Sequence, residues 1–216
     1  MKDTKKKTTI ISLFSGCGGL DLSFANLGFK ILWANDFNHW ACETYKKNFG
    51  DHVVEGDISE IKIDDIPESD IILGGFPCQD FSMLWKRGGI NTERGNLYKY
   101  FVDIVSAKKP KMFIAENVKG ILTANKGEAV KKIKEDFANV GYNVEIHKIN
   151  FADYGAPQLR HRVLIIGVHN DIKRKFIMPK PLYNENNYVS SKEALKGVEK
   201  VKHNNEHQNI MPKTIE

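Results

Sequence analysis

Cysteine is scarce in this chain: Cys17, Cys42 and Cys78 are the only three in 216 residues, odd in number, far apart and without a CxxC pair. That pattern excludes a disulfide framework and a paired-cysteine zinc site, so reduced thiols and no bound metal are expected. Long apolar runs are absent too. No stretch approaches the roughly 20 residues that span a bilayer, and the opening MKDTKKKTT has the charge of a secretory leader without its apolar centre. The expectation is a cytoplasmic protein with no membrane partner. Charge of one sign is modest: a net +5 tolerates a polyanionic partner without demanding one. Internal repeats are missing. What remains is the composition of a globular domain, at a length that suits one domain with a sizeable core.

Seven short apolar runs rich in β-branched residues read as strands: TTIISLF, FKILWAND, HVVEGD, DIILGGF, KMFIAEN, NVEIHKIN and RVLIIGV. Helical patterns lie between several of them. In LYKYFVDIVSAKK, Leu97, Phe101, Ile104 and Val105 share one face and Pro110 ends the helix; in EAVKKIKEDFANVG, Val130, Ile133, Phe137 and Val140 line a stripe that Gly141 caps. Strands alternating with helices of this length predict an α/β domain with a doubly wound, mostly parallel sheet. The last two strands, joined by a loop without a helix, are expected to pair antiparallel. After Val168 the pattern decays into a polar, basic tail with one short helical candidate at 191–197, so the boundary is drawn at 170: a domain over 1–170 and a tail over 171–216.

The first strand runs into LFSGCGGLDLSF, where Gly16, Gly18 and Gly19 let the backbone approach a ligand at the carboxyl end of the sheet; a tight turn with no ligand is the alternative. The second strand ends in WANDF. Asp36 stands about twenty residues beyond the first glycine, the spacing of a carboxylate that binds a ribose, with Phe37 beside it to stack on a purine. Asp36 also reads as the N-cap of the helix that follows. Asp57, in EGDIS, ends the third strand on the same edge. No GK[ST] follows the glycines, so the ligand reads as an adenosine without a polyphosphate, a description that S-adenosylmethionine fits. Cys78 in GGFPCQDFS and Glu116 in IAENV follow the fourth and fifth strands, which brings thiol and carboxyl to the edge that carries the glycines. Cys17 and Cys42 read as small buried hydrophobes, whereas the proline, glutamine and glycines around Cys78 describe an exposed, reactive turn.

With these pieces in order, residues 9–168 resemble the cytosine-5 DNA methyltransferases: ISLFSGCGGLDLSF, NDF, GDI, GGFPCQDFS, ENV and QLRHR match that family's motifs in sequence. The resemblance implies a Rossmann-like, S-adenosylmethionine-dependent methyltransferase fold. It implies that the cofactor, and its product S-adenosylhomocysteine, contact Phe14, Ser15, Gly16, Cys17, Gly18, Gly19, Leu20, Asp36, Phe37, Asp57 and Ile58, with Gly75 and Pro77 of the Pro-Cys loop. It further implies catalysis on a flipped-out cytosine in DNA, with Cys78 as nucleophile, Glu116 on the ring nitrogen, Arg162 and Arg160 near the carbonyl oxygen, and Asn117 and Pro77 shaping the loop. The long basic segment from Ser82 to Asn96 is expected to meet DNA, with Gln79, Ser82, Lys86, Arg87 and Arg94 as contacts.

The chain departs from that family after Val168. The target-recognition region, the glutamine/arginine-rich motif and the final helix have no counterpart, which points to a truncated chain or to one half of an enzyme whose second polypeptide supplies them. A role in restriction-modification follows from the habit of the family rather than from any residue. Three alternatives stand beside the leading one. They are a tRNA cytosine-5 methyltransferase, a cysteine hydrolase pairing Cys78 with His161 or His147, and a non-catalytic fragment that binds cofactor.

Overall fold

The computed structural model describes residues 7–77 and 97–197. Its centre is a seven-stranded sheet in the order β3-β2-β1-β4-β5-β7-β6. The strands are β1 (Thr9–Leu13), β2 (Lys30–Asp36), β3 (Val53–Glu55), β4 (Ile71–Gly74), β5 (Met112–Val118), β6 (Tyr142–Asn150) and β7 (His161–His169). All seven expected strands form. The pairs among β1 to β5 are parallel, β7 lies antiparallel to β5, and β6 sits beside β7 at the edge.

Helices cover both faces because alternate residues of the buried strands are apolar on both sides. Ile11 and Leu13 point to one face, where Phe113, Ala115, Val163 and Ile165 meet helix α3 (Leu97–Lys108) and helix α4 (Glu128–Asn139). Phe101 of α3 packs edge-on against Phe113 and Phe137 of α4 lies tilted on it, at ring separations of 5.8 and 4.2 Å. Gly167 of β7 lies under the same ring, and a methyl group there would collide with Phe113. Ser12 points to the opposite face, toward α1 (Gly19–Asn26) and α2 (His39–Phe49); Cys42, Tyr45 and Phe49 of α2 pack there on Ala34 and Val53. In α4 the buried stripe is Ala129, Ile133 and Phe137, with Val130 half-buried at its margin instead of central. Gly141, at φ 93°, follows the helix in the left-handed conformation that favours glycine.

The chain divides into two compact units. The first, residues 1–149 and 161–179, holds the sheet and its helices. The second joins residues 150–160 to 180–216. In this unit Asp153 gathers its own partners: its carbonyl accepts from the Leu182 and Tyr183 N–H groups, and its carboxylate accepts from the Tyr188 hydroxyl at 2.6 Å. The helical candidate at 191–197 shortens to α5 (Ser191–Ala194), capped by the Ser190 hydroxyl. Among the described residues, no helix is long and apolar enough to cross a membrane.

At the amino edge of the sheet, Asp70 ties three strands together. It accepts from the Thr9 N–H and hydroxyl of β1 at 2.9 Å each, and from Lys111, just before β5, at 2.7 Å. The Lys111 ammonium first, then the Thr9 amide, holds the Asp70 carboxyl down to about 2. A depressed carboxyl stabilises the fold above its unfolded value of about 3.9, and that contribution disappears as pH falls through the folded value. Asp70→Asn is therefore expected to cost about 1–2 kcal/mol at pH 7, after screening at the exposed lysine. Urea denaturation as a function of pH should show the gap closing between about pH 4 and pH 2.

Candidate active site

Register brings the site together. Asn35, Leu13, Gly74 and Ala115 pair in one row across β2, β1, β4 and β5, so the residues that follow them, Asp36, Phe14, Gly75 and Glu116, emerge along one rim.

On one side of that rim the glycine turn is held by Asp36. Ser15 N–H donates to the Asn35 carbonyl at 2.9 Å, and Gly16 N–H donates to the Asp36 carboxylate at 2.8 Å. The other carboxylate oxygen accepts from Asn38 N–H. Asp36 is not the N-cap of α2: Asn38 is, its side chain accepting from Ala41 N–H at 3.0 Å. The cap falls there because Asp36 still belongs to β2 and points back at the turn. Gly16 and Gly18 have φ of 56° and 87°, and a methyl group on Gly18 would run into the Phe49 ring. Gly19 opens α1, and Phe14 and Leu20 flank the turn half-buried. Cys42 is buried as expected, but Cys17 is exposed, because the two left-handed glycines around it turn its side chain outward.

These residues fit an adenosine-type cofactor on their own terms. The Ser15 hydroxyl is buried with no hydrogen-bond partner. A carboxylate has about four acceptor sites, of which the two amides engage two at Asp36. The Phe37 ring is 74% exposed beside it, free to stack. Asp57 follows β3 with its Oδ1 engaged by the Ser59 N–H and hydroxyl, while Ile58 is buried.

On the other side of the rim are Glu116 and Arg162. Arg162 Nε lies 2.6 Å from Glu116 Oε1, an ion pair whose N–H is not aimed along a hydrogen bond. Nη1 of Arg162 donates to the His161 carbonyl. Gly75 is close to Glu116, with room for a methyl group 3.9 Å from Oε2. Asn117, 3% exposed, donates to the Phe76 carbonyl at 2.9 Å, and the Phe76 ring is packed against Tyr98 and Phe101. The backbone leading through Pro77 is thus held from two directions. Cys78, Gln79, Ser82, Lys86, Arg87 and Arg94 lie outside the described residues. Arg160 belongs to the second unit, where its N–H donates to Asn150 and its carbonyl accepts from Phe151 N–H. His147 pairs with Glu145 at 3.1 Å on β6. No group of three or more potential metal ligands occurs among the described residues.

One functional group escaped the sequence reading. Asp21, in the first turn of α1, is fully buried and accepts from the Ser12 hydroxyl at 2.9 Å and the Tyr45 hydroxyl at 3.0 Å. It links β1, α1 and α2 beneath the glycine turn. Its partners stand 9 and 24 residues away, so no local pattern announces it.

A family model described as C-5 cytosine-specific DNA methylase matches residues 8–216. The type II methyltransferase M.NgoFVII of Neisseria gonorrhoeae is 53% identical over 222 residues, covering 99% of this chain and 59% of its own length. M.FnuDI of Fusobacterium nucleatum, also a type II methyltransferase, is 44% identical over 174 residues, 80% of this chain and 51% of its own. The chain thus spans a little more than half the length of these relatives. Among solved structures, a protein described as a DNA modification methyltransferase encoded within an E. coli prophage superposes with a TM-score of 0.72 at 30% identity, over 88% of this chain and 54% of its own. The S. pombe Dnmt2 methyltransferase shares the fold at a TM-score of 0.66 and 24% identity, over 79% of this chain and 53% of its own.

Burial pushes the Asp21 carboxyl above the usual carboxylate range, against the hydrogen bonds that favour its charge. The sign follows: stability is full below the unfolded value and declines as pH rises through the raised folded value. Asp21→Asn, which cannot ionise, is expected to gain stability relative to the native chain across that interval, measured by denaturant midpoints from pH 4 to pH 8. Asp21→Ala leaves the buried Ser12 hydroxyl without its acceptor, while the Tyr45 hydroxyl keeps His52 Nε2 at 3.4 Å, and is expected to cost about 1–3 kcal/mol.

Proposed function

The chain belongs to the C-5 cytosine-specific DNA methylase family, and on that premise we propose that it carries the catalytic and cofactor-binding part of an enzyme that methylates carbon 5 of cytosine in DNA. The observation that carries this reading is the shared rim: the Gly16–Asp36 bond on one side, the Glu116–Arg162 pair and the Asn117–Phe76 brace on the other. In the sequence Cys78 follows Pro77 directly.

The target carbon is a weak nucleophile. Addition of the Cys78 thiolate to carbon 6 forms a C–S bond and moves the ring electrons toward nitrogen 3 and carbon 5, where an enamine results. Glu116 donates a hydrogen bond or a proton to nitrogen 3 and so neutralises the charge that builds there. Arg162 orients Glu116 and attracts the carbonyl oxygen. When bound, S-adenosylmethionine supplies the electrophilic methyl that carbon 5 accepts, held by the Phe14–Leu20 turn, Asp36, Phe37, Asp57, Ile58, Gly75 and Pro77. Removal of the proton on carbon 5 by water or a small base then expels the Cys78 thiolate and restores the aromatic ring. Because the base must leave the stack, at a cost of a few kcal/mol, the basic segment with Gln79, Ser82, Lys86, Arg87 and Arg94 is assigned to the phosphates and the opened duplex. The enzyme works in the cytoplasm as part of a restriction-modification pair. Base recognition comes from a region beyond this one, on the same or a second polypeptide.

Transfer of labelled methyl to duplex DNA, with the recognition region supplied, tests the reading. DNA carrying 5-fluorocytosine is expected to trap a covalent adduct that requires Cys78 and the cofactor. Cys78→Ala abolishes trapping, and Glu116→Gln lowers kcat by about 100-fold or more with the fold intact. Label on tRNA alone, or no adduct, refutes it.

A further inference from the structure

We infer that Asn35 is a positioning residue for the cofactor: its buried side-chain amide aims the Asp57–Ile58 loop at the glycine turn and sets the spacing between them. The inference rests on the cofactor reading above and assigns to it a residue that touches neither reacting atoms nor cofactor.

The ladder between β2 and β3 ends at the pair Asp36 and Glu55. Beyond it, Gly56 N–H reaches back to the Asp36 carbonyl at 3.0 Å, and the chain then turns out toward Asp57. At that exit both hydrogens of Asn35 Nδ2 are engaged, one by the Val54 carbonyl at 3.0 Å and one by the Gly56 carbonyl at 2.9 Å. Asn35 is 1% exposed. A buried amide saturated by two carbonyls of a neighbouring strand end is an oriented clamp, since no apolar residue of the same size satisfies those acceptors.

The same residue faces the other loop. Its own carbonyl accepts from Ser15 N–H at 2.9 Å, and the next carboxylate accepts from Gly16 N–H at 2.8 Å. Positions 35 and 36 therefore hold both segments, the glycine turn through backbone amides and the Asp57 loop through the Asn35 amide. The Asp57 loop is also fixed at its far end, where Ile58 is 3% exposed within the main core. With both neighbours tied, the exposed Asp57 between them has a restricted range of positions.

Calorimetric titration of the full chain with S-adenosylhomocysteine and with methylthioadenosine, the adenosine half without its amino-acid tail, is the test. Asn35→Asp keeps the shape and replaces two donors by acceptors. It is expected to weaken both ligands by the same factor, about tenfold, because loss of two net hydrogen bonds shifts the loop away from its competent position. Should that variant not fold, Asn35→Ser removes the amide without adding charge and is measured instead. Asp70→Asn, which loosens the opposite edge of the same sheet, is expected to leave both affinities unchanged while lowering the melting midpoint. Variant affinities within about twofold of native despite a lowered midpoint overturn the inference, as does a loss confined to S-adenosylhomocysteine. A native chain that binds neither ligand refutes the cofactor reading itself, and this inference with it.

Discussion

Hydrogen-bond register between parallel strands decides where each loop leaves a sheet, and here β1 and β4 end on one row, Leu13 and Gly74, that runs on through Asn35 of β2 and Ala115 of β5. Every other feature of the rim depends on that row. A slip of one residue in β4 would exchange the sides of Gly75 and Phe76. The bulky ring would then stand beside Glu116, and the aromatic cluster of Phe76, Tyr98 and Phe101 would lose its anchor. Glycine at 75 and phenylalanine at 76 thus do opposite jobs at one turn, one leaving space and one filling it.

The two sides of the rim use one device. Asn35 is the penultimate residue of β2 and Asn117 that of β5, both are buried, and each donates its amide to a backbone carbonyl at the exit of a neighbouring strand, Gly56 after β3 and Phe76 after β4. A strand end has no ladder to continue, so the loop beyond it has no regular source of hydrogen bonds. A short carboxamide, buried and saturated, supplies them at a defined point. The side of the glycine turn adds a carboxylate gripping backbone N–H groups, whereas the side of Glu116 adds an ion pair between side chains. Both arrangements restrict the loops before any ligand arrives, which lowers the ordering cost of binding.

How much of this can be read in the chain depends on the range of each interaction. The strands and the long helices α3 and α4 follow from periodicity, because burial of a face repeats along neighbouring residues. Cys42 was legible as a buried hydrophobe; Cys17 was misread, since its exposure comes from two left-handed glycines and not from its own polarity. Asp36 suggested a cap because an acid before a helix often is one, but the helix begins two residues later and Asn38 takes that role. Asn35 and Asp21 went unread for a common reason. Their partners lie 19 to 21 and 9 to 24 residues away, in elements whose register is set by tertiary packing. Nothing in an isolated Asn before an Asp distinguishes a clamp from a solvated turn.

The row itself has a local cause. Between Ile10 and Ile11 the pairing of β1 with β2 shifts, so that Ile10 faces Ile31 while Ile11 faces Trp33, and Leu32 is the extra residue. Without that bulge Leu13 would lie opposite Ala34, one residue earlier. Ser15 N–H would then meet the Ala34 carbonyl, and the Asp36 carboxylate would extend one residue past the glycine turn instead of closing on Gly16. Bulges re-aim a strand at the expense of one unpaired residue. In this sheet the displaced residue is Leu32, which packs against the main core, so its lost place in the ladder is offset by burial. An irregularity near the start of two strands thereby brings Asn35 and Asp36 into register with the loop they hold at the other end.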